Sequence, residues 1–144
     1  MTRDTSRYIP ADVAEQAPGI ARELAAAADE VNATIRDVED VFCNWKLGVT
    51  AAVDLGLPDS SEPQRLRFRK QKNMWLLVLE TTSSSGKPPA PLPLTTASRR
   101  VRLHALTRIP ALSRALLDEA KAQIVAMHTA CANLQNFLVS MRHP

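Results

Sequence analysis

Positive charge concentrated between residues 65 and 72 is the feature of this sequence with the clearest chemical meaning. The stretch RLRFRKQK contains five cationic side chains in eight residues, and more arginines follow near residue 100. Clustered Arg and Lys side chains bind phosphate or carboxylate groups through charge-assisted hydrogen bonds, and such binding weakens as the salt concentration rises. We therefore predict a partner-binding basic patch made of Arg65, Arg67, Arg69, Lys70, Lys72, Arg99, Arg100 and Arg102.

The formal net charge of +3 is distributed unevenly along the chain. Residues 1–63 hold 12 acids and 5 bases, residues 64–108 hold ten bases and one acid, and residues 109–144 hold three bases and two acids. The three parts therefore carry −7, +9 and +1. This separation predicts a partner with an acidic surface, in the first place a protein. Nucleic acid is the alternative, bound by the arginines of 65–72 and 99–108, although the aromatic residues nearby follow apolar patterns that favour core packing over base stacking.

Residue types that carry out catalysis or bind metals are present, but not in the required arrangements. Cys43 and Cys131 lack the short spacing of metal-binding cysteines, and each lies in an apolar helical pattern that favours a buried thiol. The three histidines are scattered, the four glycines are too far apart for a phosphate-binding loop, and no GxSxG motif occurs. We expect no enzymatic activity, no cofactor, no metal and no small-molecule ligand.

The hydropathy pattern is that of a soluble chain. No apolar run approaches the roughly 20 residues that cross a bilayer. Residues 1–16 also lack the apolar region of a secretory signal. We therefore expect no membrane association and a cytoplasmic location.

Two long segments show the alternating three- and four-residue spacing of apolar side chains that is typical of coiled coils. The first spans residues 20–55, after an interruption at Pro18-Gly19, and the second spans residues 110–141. At about 1.5 Å per residue they would be roughly 54 and 48 Å long, so the two can pair as an antiparallel hairpin of helices. We predict that one narrow apolar seam on each helix drives self-association, with Leu24, Val31, Ile35, Val38, Phe42, Trp45, Leu117, Ile124, Leu134 and Leu138 as its members.

The segment between these helices has a different pattern. Residues 64–80 first alternate charged and apolar side chains and then become almost wholly apolar, which predicts a β-hairpin. A flexible Pro- and Ser-rich loop is expected at 81–97. Ser98 is placed to cap a short helix at 99–108, although alternating arginines and apolar residues leave a third strand as the alternative. Residues 1–9 are expected to form a loose N-terminal arm.

Together these elements predict a single domain over residues 1–144 that is mainly α with a small β-hairpin, an α+β fold. Two long antiparallel coiled-coil-like helices are joined by the hairpin and the flexible loop. In that pairing Cys43 and Cys131 lie roughly 13 Å apart along the helices, too far for a disulfide. Because a two-helix hairpin leaves apolar surface exposed, we expect a homo-oligomer, with a dimer favoured. The predicted function is a non-enzymatic protein–protein interaction module, an adaptor or an inhibitor of another macromolecule.

Overall fold

Three helices and a four-stranded antiparallel sheet form the described part of the chain. The computed structural model describes residues 8–57, 63–82, 86 and 89–143. The predicted combination of long helices with a β-hairpin is confirmed in this coarse form. The elements, in chain order, are α1 (Ala11–Asn44), β1 (Ala51–Asp54), β2 (Gln64–Gln71), β3 (Met74–Thr81), β4 (Leu92–Pro93), a short 3₁₀ helix (Leu94–Thr96), α2 (Arg99–Thr107) and α3 (Ile109–Arg142).

Helix α1 lies earlier in the chain than the apolar spacing predicts. It begins at Ala11 because Pro18, expected to interrupt it, is accommodated inside the helix. Proline has a helical φ, but in a helix interior it removes one hydrogen bond and crowds the preceding turn, which is why the sequence predicted an interruption there. The helix ends before Lys46 and Gly48, because these residues have φ of 55° and 64°, outside the right-handed helical region. The prediction of helix at 45–55 is therefore wrong, since this stretch turns and then forms β1.

The predicted β-hairpin is confirmed, and it forms the centre of a sheet with the order β1-β2-β3-β4. Its turn consists of Lys72 and Asn73, with φ of 50° and 67°, as a two-residue type I′ turn requires. The strand β1 pairs with β2, and β4 pairs with β3. The sequence pattern did not predict these outer strands, because β1 continues a helical apolar spacing and β4 is only 2 residues long.

The two faces of the sheet differ in burial and in polarity, because successive side chains along each strand point to opposite faces. On the inner face, Leu66 and Phe68 of β2 and their partners in β3 are buried. Aromatic rings join this layer to α1, since the ring of Phe68 lies 5.3 Å from that of Phe42 and 5.4 Å from that of Trp75. The hydrophobic core between sheet and helices consists of Ile35, Phe42, Val49, Leu55, Leu66, Phe68, Leu77, Leu79, Leu94, Ala105, Leu112 and Leu116.

Helix α2 confirms the short helix predicted at 99–108 and excludes the third strand considered there. The Oγ of Ser98 accepts a hydrogen bond of 3.4 Å from a backbone N–H in the first turn, which satisfies one of the free donors of a helix N-terminus. At the other end, the ring of His104 contacts the carbonyl of Leu55, and the Nε of Arg108 donates to a carbonyl of β1 at 3.0 Å. These contacts hold the junction of α2 and α3 against the end of β1.

The predicted coiled-coil pairing of the two long helices is not confirmed. Helix α1 packs on β3, α2 and the 3₁₀ helix, whereas α3 packs on β1, β2 and α2. The sheet is thus the main packing partner of α3, whereas α1 packs on the sheet together with α2 and the 3₁₀ helix. A sequence pattern of period 3.5 shows that a helix has one apolar stripe, but it does not show whether another helix or a sheet covers that stripe.

The predicted seam residues separate into a group at the core and an exposed group. Ile35 and Phe42 are buried, and Val31 and Val38 pack against the core. The exposed group consists of Leu24, Trp45, Leu117, Ile124, Leu134 and Leu138.

The expectation of buried thiols is wrong, because Cys43 and Cys131 are both exposed. The Sγ of Cys43 lies 4.0 Å from the carbonyl oxygen of Trp75 at the border of the core. Cys131 belongs to a part of α3 in which every described residue is exposed.

Two segments predicted to be flexible lie partly outside the described residues. These are residues 1–7 of the N-terminal arm, and residues 83–85 and 87–88 of the loop at 81–97. The described part of that loop contains β4 and the whole 3₁₀ helix.

Candidate interaction surfaces

The C-terminal part of α3 exposes a continuous apolar surface. Every described residue from 121 to 142, which we call the distal segment, is exposed to solvent. At about 1.5 Å per residue this segment extends roughly 33 Å beyond the core. Its large apolar side chains recur at the three- and four-residue spacing of a helical seam. The exposed residues are Ile124, Val125, Met127, Leu134, Phe137, Leu138, Val139 and Met141.

The distal segment also lacks the charged face of a solvent-exposed helix. Residues 122–141 contain no Asp, Glu, Lys or Arg. A helix that faces water on all sides usually carries charged residues opposite a single apolar stripe, whereas apolar residues around a helix indicate burial. In proteins most of the stability of a helix comes from packing of its apolar face. The distal segment therefore combines full exposure with an apolar, uncharged composition over residues 122–141.

A second apolar surface lies where α1 meets α2. Leu24 of α1 and Leu103 of α2 are 49% and 55% exposed. Between them is a shallow pocket of about 80 Å³, which we call the α1–α2 groove. Its floor contains alanines, which let another helix approach closely. The groove is lined by Leu24, Ala27, Ala28, Val31, Arg99, Arg102 and Leu103.

The outer face of the sheet carries the charged surface that the sequence predicted. Arg65, Arg67 and Arg69 follow one another on this face of β2, opposite the buried residues of the same strand. Glu80 of β3 binds two of them: its Oε1 lies 2.5 Å from the Nε of Arg67, and its Oε2 lies 3.3 Å from the Nη1 of Arg69. Arg65 is paired with Asp54 of β1 at 3.3 Å. The three arginines thus meet two carboxylates and keep a positive excess.

The structure does not gather all eight predicted patch residues on this face. It brings Arg65, Arg67 and Arg69 together, and it places Lys70 and Lys72 at the exposed end of the same hairpin. The other three, Arg99, Arg100 and Arg102, lie on α2.

The α2 arginines belong to a different environment from those of β2. Arg99 and Arg102 line the α1–α2 groove. The Nη1 of Arg102 donates a hydrogen bond of 2.5 Å to Asn32 of α1. Their positive charge therefore lies next to the acidic helix α1.

The two aromatic residues nearest the arginines differ in their environment. Phe68 is buried on the inner face of the sheet, and the ring of Trp75 stacks against it. Trp75 is only half-buried, and it lines the same surface pocket as Arg67, Arg69 and Lys70. Binding of single-stranded nucleic acid commonly combines cations with an exposed aromatic ring, so the geometry at Trp75 is compatible with the nucleic-acid alternative as well as with an acidic protein.

A buried carboxylate holds α1 against the edge of the sheet. Glu39 is only 8% exposed, and its Oε2 accepts a hydrogen bond of 2.7 Å from the backbone N–H of Leu77. Burial raises the pKa of Glu39, and the nearby charge of Asp40 adds to this effect, while the bond from Leu77 and the charge of Arg36 oppose it. The carboxyl group thus covers a backbone donor of β3.

Groups that could hold a metal ion do not occur among the described residues. In the same part of the chain, no helix is both long enough and apolar enough to span a membrane. Comparisons of the chain with protein-family models, with curated proteins and with solved structures find no match. A function can therefore be inferred only from the exposed apolar and charged surfaces described above.

Sequence reasoning missed three features of these surfaces. Leu103 was not recognised as part of an apolar surface, because its helix is short and its neighbours are charged. Glu39 has the sequence pattern of a solvated acid, because nothing in its neighbourhood shows that β3 lies against it. Glu80 could have been found, since it is the only acid in residues 64–108 and faces the arginines in a simple hairpin register.

Proposed function

We propose that the protein is a non-enzymatic interaction module that self-associates through the distal segment of α3. The observation that supports this most is the exposure of large apolar side chains along the distal segment, in which residues 122–141 carry no charged side chain. Fully burying one Leu, Ile or Phe side chain is worth about 1.5–3 kcal/mol. Covering several of them offsets the loss of translational and rotational freedom on association, which is on the order of 4–15 kcal/mol.

The basic outer face of the sheet is the second part of the proposal. On this face Arg65, Arg67 and Arg69 stand against Asp54 and Glu80, which leaves one positive charge, and Lys70 and Lys72 add two more at the exposed end of the hairpin. We propose that this face engages an acidic surface of a partner protein, so that the oligomer acts as an adaptor or an inhibitor. Contacts of this type accelerate and orient association more than they strengthen it, and they weaken with salt.

Self-association is tested by light scattering coupled to gel filtration at micromolar concentrations. The wild type should elute as an oligomer, with a dimer expected. Leu138→Glu should be monomeric, because a charge on the seam cannot be buried without a partner. Val139→Glu is the matched control: Val139 is 55% exposed and Leu138 is 43% exposed, but only Leu138 lies on the seam. A monomeric wild type would remove the proposal.

Engagement of acidic surfaces is tested by fluorescence anisotropy with labelled polyglutamate, DNA and RNA at low and moderate salt. The wild type should bind polyglutamate at low salt, and the triple variant Arg65→Gln, Arg67→Gln, Arg69→Gln should lose most of this binding. Arg114→Gln, an exposed arginine of α3 outside the basic face, should bind like the wild type. Tighter binding of DNA or RNA than of polyglutamate would support nucleic acid as the partner. No binding at low salt would remove both partners.

A further inference from the structure

We propose that the distal segment of α3 packs into the α1–α2 groove of a second copy of the chain. The second copy returns the same contact, which gives a two-fold symmetric dimer. This inference rests on the self-association proposed above and names the surface that receives the distal segment. In such a dimer the exposed halves of two α1 helices and two α3 helices form a four-helix arrangement.

The two surfaces match in length. The half of α1 that projects beyond the core, residues 11–30, is almost entirely exposed. At about 1.5 Å per residue it is roughly 30 Å long, close to the roughly 33 Å of the distal segment. Ala27 and Ala28 on its groove side allow the close approach of another helix. A distal segment lying along α1 would therefore contact the groove at one part of its length.

The charges of the two surfaces are complementary. Residues 11–30 contain five acids and one base, so this half of α1 carries −4. Arg99 and Arg102, which line the groove beside it, reduce the charge of the whole receiving surface to −2. The distal segment carries +2, from Lys121 and Arg142, and contains no acid. Packing α1 against α1 brings two negative helices together, and packing α3 against α3 brings two positive segments together. Only the pairing of α1 with α3 places opposite charges side by side, which is the arrangement that specific interfaces favour.

The area required for a stable dimer also favours the reciprocal contact. A helix strip of roughly 33 by 10 Å projects an area on the order of 330 Å². A single pairing of two distal segments covers one such strip on each copy, well below the roughly 800 Å² per partner of a standard interface. The reciprocal dimer covers two strips on each copy, the distal segment and the exposed half of α1, and so approaches that value.

A mixing experiment tests the inference. Leu138→Glu places a charge on the seam of the distal segment, and Leu103→Glu places a charge in the groove. Because Leu103 is exposed, the second change leaves the core intact. Each variant alone should be monomeric by light scattering. An equimolar mixture should form heterodimers, because the intact distal segment of the Leu103→Glu copy can still pack into the intact groove of the Leu138→Glu copy. Ala26→Glu adds the same charge to α1 outside the groove lining and should remain dimeric like the wild type.

The outcomes separate this inference from the proposed function. A dimeric Leu103→Glu variant together with a monomeric Leu138→Glu variant would leave self-association in place and overturn the groove as its partner surface. A mixture without heterodimers would overturn the groove in the same way. A monomeric wild type would remove the proposed function, and this inference with it.

A cross-linking measurement covers the case in which Leu103→Glu does not fold. A photo-reactive benzophenone is attached beside the seam, at Ala132→Cys, in a chain in which Cys43→Ser and Cys131→Ser leave this single thiol. After illumination of the dimer, peptides of residues 24–31 or 99–103 should carry the cross-link. Cross-links confined to residues 121–142 would overturn the inference, because they place two distal segments together.

Discussion

The carboxylate of Glu39 accepts a hydrogen bond from the backbone N–H of Leu77 at 2.7 Å. This bond covers a donor at the edge of β3, where β4 pairs only with Val78 and Leu79. One helical turn later, the Sγ of Cys43 lies 4.0 Å from the carbonyl oxygen of Trp75. Side chains of α1 thus protect a sheet edge that would otherwise be open to pairing with another strand.

The first prediction concerns the acceptor that Glu39 provides. Glu39→Ala should lower the free energy of unfolding by about 1–3 kcal/mol, because a buried backbone N–H loses its partner. Glu39→Gln retains a side-chain oxygen and should cost less than Glu39→Ala. Urea denaturation of the three proteins at neutral pH measures the difference. Equal losses in both variants would show that the hydrogen bond is not what stabilises this edge.

The second prediction concerns how the free energy of unfolding depends on pH through Glu39. Burial raises the pKa of Glu39 above its ordinary value of 4.5, so the folded state binds the proton more tightly than the unfolded state. This contribution to stability is fully present below the ordinary pKa and is lost as the pH rises through the folded pKa. The wild type should therefore lose stability relative to Glu39→Gln from about pH 4.5 upwards. Urea midpoints measured across this range check the sign, and a constant difference would contradict it.

The fold could be predicted from the sequence where a local pattern determines the structure. The alternation around Leu66 and Phe68 predicted the hairpin, and Ser98 predicted the start of α2. The predicted first helix was placed too late, because the apolar spacing continues through Val49 although Lys46 and Gly48 have positive φ. A heptad position and a strand position can hold the same valine, so periodicity alone does not locate the end of α1.

A pair of isoleucines provides the third prediction, because they occupy equivalent sequence patterns but different environments. Ile35 is 0% exposed and Ile124 is 51% exposed. Ile35→Ala should lower the free energy of unfolding by about 2–5 kcal/mol through the cavity that it leaves. Ile124→Ala should change the unfolding of the monomer little and should instead weaken self-association. Denaturation at low protein concentration and light scattering at high concentration separate the two effects. The same destabilisation at both positions under monomeric conditions would contradict the exposed distal segment.

The hairpin turn provides the fourth prediction. Lys72 and Asn73 both have positive φ, a conformation that costs a residue such as lysine roughly 1–2 kcal/mol. Replacing them with Asn-Gly, the preferred pair of a type I′ turn, should raise the free energy of unfolding by about 1 kcal/mol. Lys70→Asn is the control, because Lys70 lies in β2, where asparagine is disfavoured. If both changes shift the urea midpoint upwards, the turn geometry is not the cause.

The candidate surfaces were predictable only in their chemistry. The positive excess of the hairpin follows from composition, but the pairing of Arg67 and Arg69 with one carboxylate, that of Glu80, depends on cross-strand register. The apolar line through Leu134 and Leu138 was visible as a seam. The exposure of this seam could not be predicted, because it depends on where the core ends along α3. That position is determined by the sheet.

The reactivity of the two thiols gives the fifth prediction. Cys131 lies seven residues from both Ile124 and Leu138, on the line that self-association is proposed to bury. Alkylation of Cys131 by iodoacetamide should therefore be slow in the wild-type oligomer and faster in Leu138→Glu. Cys43 is the internal control, because it lies outside the distal segment. Cys43 is exposed but lies at the border of the core, where partial desolvation raises the pKa of its thiol and the charges of Asp40 and Glu39 add to this effect. Cys43 should therefore react more slowly in the folded chain than after unfolding, and equally in both proteins. Peptide mass spectrometry after timed labelling measures each rate, and equal Cys131 rates in the two proteins would show that the seam is not covered.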